Sequence, residues 1–245
     1  MADASLATSG RGEAMSELFT SPLFGLMITL GAYYAATVLQ RRCGHSPLVN
    51  PVLVSALVLA LFLWIENIPY EAYFRGAAFV HLLLGPATVA LAIPLYSQLP
   101  QIRKALMPIL VSVLVGSLTG IVSAVGIGWL LGAQRTTLLS LAPKSVTTPI
   151  AMGISEKIGG QPSLTVIFVI VTGILGAMIG HSVVKALGIK DWRAYGLAVG
   201  VASHGVGTGR AVQLNETAGA FASLAMGLAG LTAAVLIPIL VKAFH

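Results

Sequence analysis

The chain has 245 residues, of which 56% are hydrophobic and 9% charged, with a mean hydropathy of +0.91. Soluble domains carry about 25% charged residues, so this chain has too little polar surface to face water all round, and a soluble globular domain is set aside. The net charge is +6, but its Lys and Arg stand singly or in pairs (Arg41-Arg42, Arg103-Lys104, Lys185, Lys190, Arg193) beside apolar runs. That is how membrane anchors are placed, and it is not the basic stripe of a nucleic-acid binder.

Residues 1–17 are small and polar, include Asp3, Glu13 and Glu17, and lack the basic-then-apolar order of a secretory signal. They read as a disordered N-terminal tail ahead of one transmembrane domain, 18–245. Apolar runs of spanning length, about 20 residues each, then follow at 18–40, 48–65, 72–95, 106–131, 164–187, 195–214 and 221–241. Short turns join them, among them "ENIPYE", "GGQPS" and "GIKDW". The expected class is an all-α polytopic membrane protein of about seven to eight transmembrane segments, since the alternating pattern of a barrel is absent. Cys43 is the single cysteine, so no intrachain disulfide or thiolate metal site can form. The seams "GSLTGIVSAVGIG" (116–128) and "TGILGAMIG" (172–180) read as close helix packing.

The odd segment is 138–158. It lies within "LAPKSVTTPIAMGISEKIGG" (141–160), which carries a lysine, two prolines and several hydroxyls amid apolar sequence. Pro143 and Pro149 each remove a helix N–H, and the freed carbonyls must be met by protein or by a wet cavity. The stretch has a partner in "SHGVGTGRAVQLNETAGA" from Ser203. Aligned, Val146 meets Val206, Thr148 meets Thr208, Ala151 meets Ala211, Glu156 meets Glu216, Gly159 meets Gly219, and Lys144 falls on His204. A fainter copy, "PATVALAIPLYSQL", starts at Pro86. Interrupted segments at matching places mark the binding site of many transporters.

Loop charge supports the same arrangement. If every segment crosses, starting with the N-terminus outside, Lys and Arg divide evenly between the two faces. If 138–158 dips in and returns, Lys185, Lys190 and Arg193 move inside and the positive-inside bias appears. The two copies then enter from opposite faces, giving Pro/Gly-broken or re-entrant helices in an inverted repeat.

The polar residues of the copies suggest an anion site. Lys144 is an ionisable group near membrane depth, and with the N-terminal end of a half-helix it would receive a carboxylate. Ser145, Thr147 and Thr148 supply hydroxyls. In the second copy Gly205, Gly207 and Gly209 permit positive φ and close approach, and Thr208 gives a hydroxyl. His204 can relay a proton near neutral pH, and Arg210 can grip a carboxylate with two hydrogen bonds. Glu156 is a second candidate for proton coupling. The plainer alternatives are a kinked helix whose Lys144 snorkels to the interface and a packed, hydrogen-bonded His204. His181 reads as a core or interface histidine. The chain lacks a nucleophile triad, paired carboxylates and metal-ligand spacing, so an enzyme is not expected and no cofactor is assigned.

"LAPKSVTTPIAMGISEKIGG", "VTGILGAMIGH", "ASHGVGTGRA" and "LLGPATVALAIPLY" together resemble the LrgB/CidB family of bacterial membrane proteins, over about residues 20–243. Family members often have Ala where this chain has Gly209. The resemblance implies a multi-pass protein of the bacterial inner membrane, encoded beside a small holin-like LrgA/CidA partner and described as modulating murein hydrolase activity and lysis. It also implies kinship with the C-terminal half of the plastid glycolate/glycerate translocator. From these follow two expectations. One is a carrier of small monocarboxylates such as pyruvate, glycolate or glycerate, with Lys144, Ser145, Thr147, Thr148, His204, Gly205, Gly207, Thr208 and Arg210 at the site. The other is a non-transporting antiholin-like subunit that acts on a holin-like pore. A homo-oligomer is compatible with either.

Overall fold

The computed structural model describes residues 21–44, 49–83, 86, 89–90 and 92–243. The expected tail at 1–17 lies outside them, as does part of the fainter repeat copy from Pro86. The described residues are helical, with no strand among them. By contacts the chain divides into two compact units, 1–90 and 91–245.

The first unit holds α1 (Pro22–Arg42), α2 (Pro51–Ile65) and α3 (Tyr70–Leu82). Asn50 opens α2: its Oδ1 accepts from Val52 N at 2.9 Å and Leu53 N at 3.2 Å, and Pro51 takes the first helical position. At Gly25 of α1 a Cβ would stand 3.0 Å from the Gly76 Cα of α3. This near contact of backbones brings Thr29 Oγ1 within 2.8 Å of the Tyr73 hydroxyl.

The second unit runs α4 (Ala92–Ser97), α5 (Leu99–Lys104), α6 (Leu106–Leu130), α7 (Arg135–Leu141), α8 (Thr148–Ile158), α9 (Pro162–Ala186), α10 (Trp192–Leu214) and α11 (Glu216–Ala243). Among the described residues four helical stretches are long and apolar enough to span a membrane: Leu23–Arg42, α6, α9 and α11. Leu114, Val115, Leu118 and Val122 of α6 and Ile167, Val171, Leu175 and Ile179 of α9 face outward, as a lipid-facing surface requires. α2, with 15 residues, is shorter than a full span.

Two segments are not straight: 138–158, expected to be broken or re-entrant, and 195–214, expected to be a span. Between α7 and α8 the chain leaves helix at 142–147, around Pro143 and ahead of Pro149. The two flanking helices form a hairpin. Ser140 Oγ accepts from Gln161 N at 2.8 Å, and Thr165 Oγ1 lies 3.0 Å from Ser140 O and 2.7 Å from Ser155 Oγ. Both arms are thus tied to the start of α9, while Val146 and Ala151, nearer the tip, pack with Val169. Gly159, at φ 84°, ends α8 in the left-handed conformation and lets the chain turn into α9.

The second is α10, which reverses at His204 (φ 41°, ψ −136°). A Cβ on Gly207 would stand 2.6 Å from Val199 Cγ1 and 3.3 Å from Val199 O. In a straight helix residues eight apart are separated by about 12 Å, so the 205–214 arm folds back along the 192–203 arm. The sequence reading gave the bend to the glycines of "GVGTG"; the structure gives the positive φ to His204 itself. Gly207 serves instead as the place where the two arms touch, and Gly205 and Gly209 are exposed.

α9 organises both hairpins. Moving along it, Thr165 meets the first hairpin's arms and Val169 its tip. Gly173 then meets the His204 ring, Gly176 meets Ser203, and Gly180 meets Val199. The tips therefore approach the middle of one helix from its opposite ends. α11 packs on α10 just as closely, where a Cβ at Gly196 or Gly200 would run into the backbone oxygens of Ala218 or Ala222. The helix starts are fixed locally. Asp191 caps α10 by accepting from Arg193 N at 2.8 Å, and hydrogen bonds from the Arg193 side chain hold its carboxyl below the usual carboxylate range. Asn215 ends α10 in extended backbone, and its Oδ1 accepts from Ala218 N at 3.1 Å.

Candidate functional site

The break at 142–147 carries Lys144 into a cavity of 470 Å³. α6 forms one wall with Ser112, Gly116, Ser117 and Gly120, and the first arm of α10 forms another with Leu197, Ala198, Val201 and Ala202. Lys144 and Ser145 close it from the break, with Lys144 Nζ donating to Ser145 Oγ at 3.1 Å. Lys144 is half-buried, and no carboxylate among the described residues forms an ion pair with it. A partly desolvated ammonium whose protein partner is a neutral hydroxyl has the chemistry to receive an anion.

The other residues expected at the site are not in this cavity's wall. Thr147 and Thr148 are half-buried at the start of α8, and Thr147 makes no side-chain cap bond. His204 is 5% exposed, and its Nε2 donates to Val169 O at 2.9 Å. Lys144 is near enough to act on its ring electrostatically. Thr208 is fully buried and donates to His204 O at 2.7 Å, one turn back. Arg210 lies at the far end of the second arm. It donates to Gln213 Oε1 at 3.4 Å and is within electrostatic reach of Tyr195. Glu156 is exposed near the end of α8. His181 stacks on Trp192 at 5.5 Å and meets Tyr195 edge-on at 5.3 Å. The two breaks thus come together at α9, while Arg210 and Glu156 stay at the outer ends of their arms.

The profile of the LrgB-like family matches residues 29–243. The chain belongs to the LrgB-like family. Curated relatives agree along nearly their whole length. The chain is 38% identical to "Uncharacterized protein YxaC" of Bacillus subtilis, over 90% of this chain and 95% of that protein. It is 32% identical to "Holin-like protein CidB" of Staphylococcus epidermidis (90% and 96% covered) and 33% identical to "Antiholin-like protein LrgB" of Bacillus mycoides (89% and 95%). No solved structure matches it. The LrgB-like region includes both hairpins and every residue of the cavity wall.

Sequence reasoning missed the α6 wall. "GSLTG" was read as a packing seam, which it partly is: a Cβ at Gly116 would stand 3.3 Å from Val201 Cγ1. The available signal was that a serine sits inside the seam, at Ser117.

Proposed function

We propose that this LrgB-like protein is a membrane carrier, or the substrate-binding component of one, for small monocarboxylates of the size of pyruvate, glycolate or glycerate. The observation that carries the reading is Lys144, a half-buried ammonium with no carboxylate partner among the described residues, in the wall of a 470 Å³ cavity. That volume is within the ~300–1,000 Å³ usual for small-ligand sites. An ionisable group near membrane depth is expensive, and a transported anion offsets its cost. The Lys144 break meets α9 at Val169 and the His204 break meets it at Gly173, about 10 and 17 Å from that helix's start, depths that suit the middle of a bilayer core about 30 Å thick. In this reading the two hairpins are inverted copies that enter from opposite faces, the chain makes about seven to eight passages or dips in the bacterial inner membrane, and rocking of the hairpins alternates access. His204 and Glu156 are the candidates for proton coupling.

A second reading has comparable support, because relatives are named "Holin-like protein CidB" and "Antiholin-like protein LrgB". Here the chain is an antiholin-like subunit that modulates a holin-like LrgA/CidA pore, and through it murein hydrolase activity and lysis, by helix packing. A packing subunit needs seams, and seams do not call for a half-buried lysine. Proteoliposome uptake separates the two. The carrier reading expects saturable uptake of labelled pyruvate, glycolate or glycerate, responsive to an imposed pH gradient and lost in Lys144→Ala. Absence of uptake by folded, correctly inserted protein, with lysis control intact in cells, favours the subunit.

A further inference from the structure

Ser117 on α6 is 8% exposed, and its Oγ has no hydrogen-bond partner. Other helical hydroxyls in the chain donate to the carbonyl one turn back: Thr29 to Gly25 O at 2.7 Å, Thr208 to His204 O at 2.7 Å and Ser223 to Gly219 O at 2.8 Å. Ser117 has the same option one turn back, at Val113, and does not take it. A buried hydroxyl without a partner is costly, and native structures seldom keep one without a reason. Ser117 is also one of the residues that line the space lined by Lys144 and Ser145. Gly116, Gly120, Val201 and Ala202 make much of the remaining lining small and apolar. The lining carries one cation, Lys144, and the hydroxyls of Ser112, Ser117 and Ser145, of which Ser117 is the one buried without a partner. Lys144 is a cation for the charged end of a ligand. Ser117 is a neutral hydroxyl, able to donate or accept, for an uncharged oxygen.

Resting on the carrier reading above, we propose that Ser117 is the specificity-determining residue of this site. Lys144 holds the carboxylate and Ser117 hydrogen-bonds an oxygen on the adjacent carbon, so the site selects a 2-oxygenated small acid over its deoxy counterpart. A site built to hydrogen-bond a ligand oxygen rejects the analogue that lacks it, because its own buried group is then left unpaired.

Titration calorimetry on the full chain in lipid nanodiscs tests this with (S)-lactate and propanoate, which differ by one hydroxyl. The wild type is expected to bind lactate at least about tenfold more tightly than propanoate, the value of one good hydrogen bond. In Ser117→Ala the ratio falls to about one through loss of lactate affinity, with propanoate unchanged. Ser117→Cys, near in volume and a poor hydrogen-bonder, shows the same collapse and serves if the alanine variant misfolds. Lys144→Ala binds neither acid. A wild type that binds both acids equally, or serine variants that keep the wild-type ratio, overturns the Ser117 assignment and leaves the carrier reading standing; the hydroxyl would then be held by water. A wild type that binds neither acid contradicts the carrier reading, and this inference with it.

Discussion

His204 sets the bend of α10 at a backbone angle that favours glycine, and its ring hydrogen-bonds α9 through Val169 O. The two effects make an unusual prediction. In an ordinary helix interior Gly is about 1 kcal/mol worse than Ala. At 204 the order reverses, because Ala keeps the strained positive φ and Gly relieves it. Both variants lose the bond to Val169, so thermal unfolding in detergent should place His204→Ala below His204→Gly by about 1 kcal/mol. The opposite order would mean that the chain does not reverse at this residue. Gly173 belongs to the same contact. A Cβ there would stand 2.6 Å from His204 Cε1, so Gly173→Ala should destabilise by about 1–3 kcal/mol through displacement of the ring. The sequence located this site without its mechanism. Aligning Lys144 with His204 marked the second polar segment and did not place a bend at His204. The glycines beside it drew the positive φ because glycine is the usual bearer, and only the packing of α9 on the ring shows why a histidine holds it. Ser117 was illegible for a different reason. A serine in a small-residue seam looks like packing until the wall opposite is known.

At the level of elements, each hairpin is fixed by a few contacts to α9. The first hangs on Thr165, whose hydroxyl lies 2.7 Å from Ser155 Oγ and 3.0 and 3.1 Å from Ser140 O and Gln161 O. It has one proton, so it donates to one of these three acceptors at a time. Thr165→Val preserves shape and leaves these buried partners short of a bond, at about 1–3 kcal/mol. Chemical denaturation in detergent would measure it, and an unchanged midpoint would show that the hairpin is held by packing alone. The prolines made the first break readable, since they forbid continuous helix at 142–147. The fold-back of α10 was less readable, because 195–214 has the length of a crossing and no proline to interrupt it. Impermeant thiol labelling checks the pair of hairpins in a Cys43→Ser background. Cysteines at Lys190 and Gln213, the two ends of α10, should label from one side of the membrane and a cysteine at Lys157 from the other. Labelling of 190 and 213 from opposite sides would make α10 a crossing.

Over the whole molecule, composition alone called for lipid as the solvent, and the helices present apolar side chains outward accordingly. Four stretches have spanning length among the described residues, and the segments that do not qualify are short, bent or broken. These irregular pieces bring polar groups to the middle of α9. Their pairing across long sequence distances, such as α6 Ser117 with Lys144 at one cavity, is a property of packing and has no local signature. In the carrier reading this cavity is a wet, anion-receiving site governed by Lys144. The most direct measurement places a single cysteine at Ala198, in the cavity wall, in the Cys43→Ser background, and follows its modification by anionic and cationic methanethiosulfonates. Faster reaction with the anionic reagent is expected, with that preference lost in Lys144→Ala and the cysteine protected by saturating monocarboxylate. Equal rates with both reagents and no protection by any small acid would contradict the carrier reading.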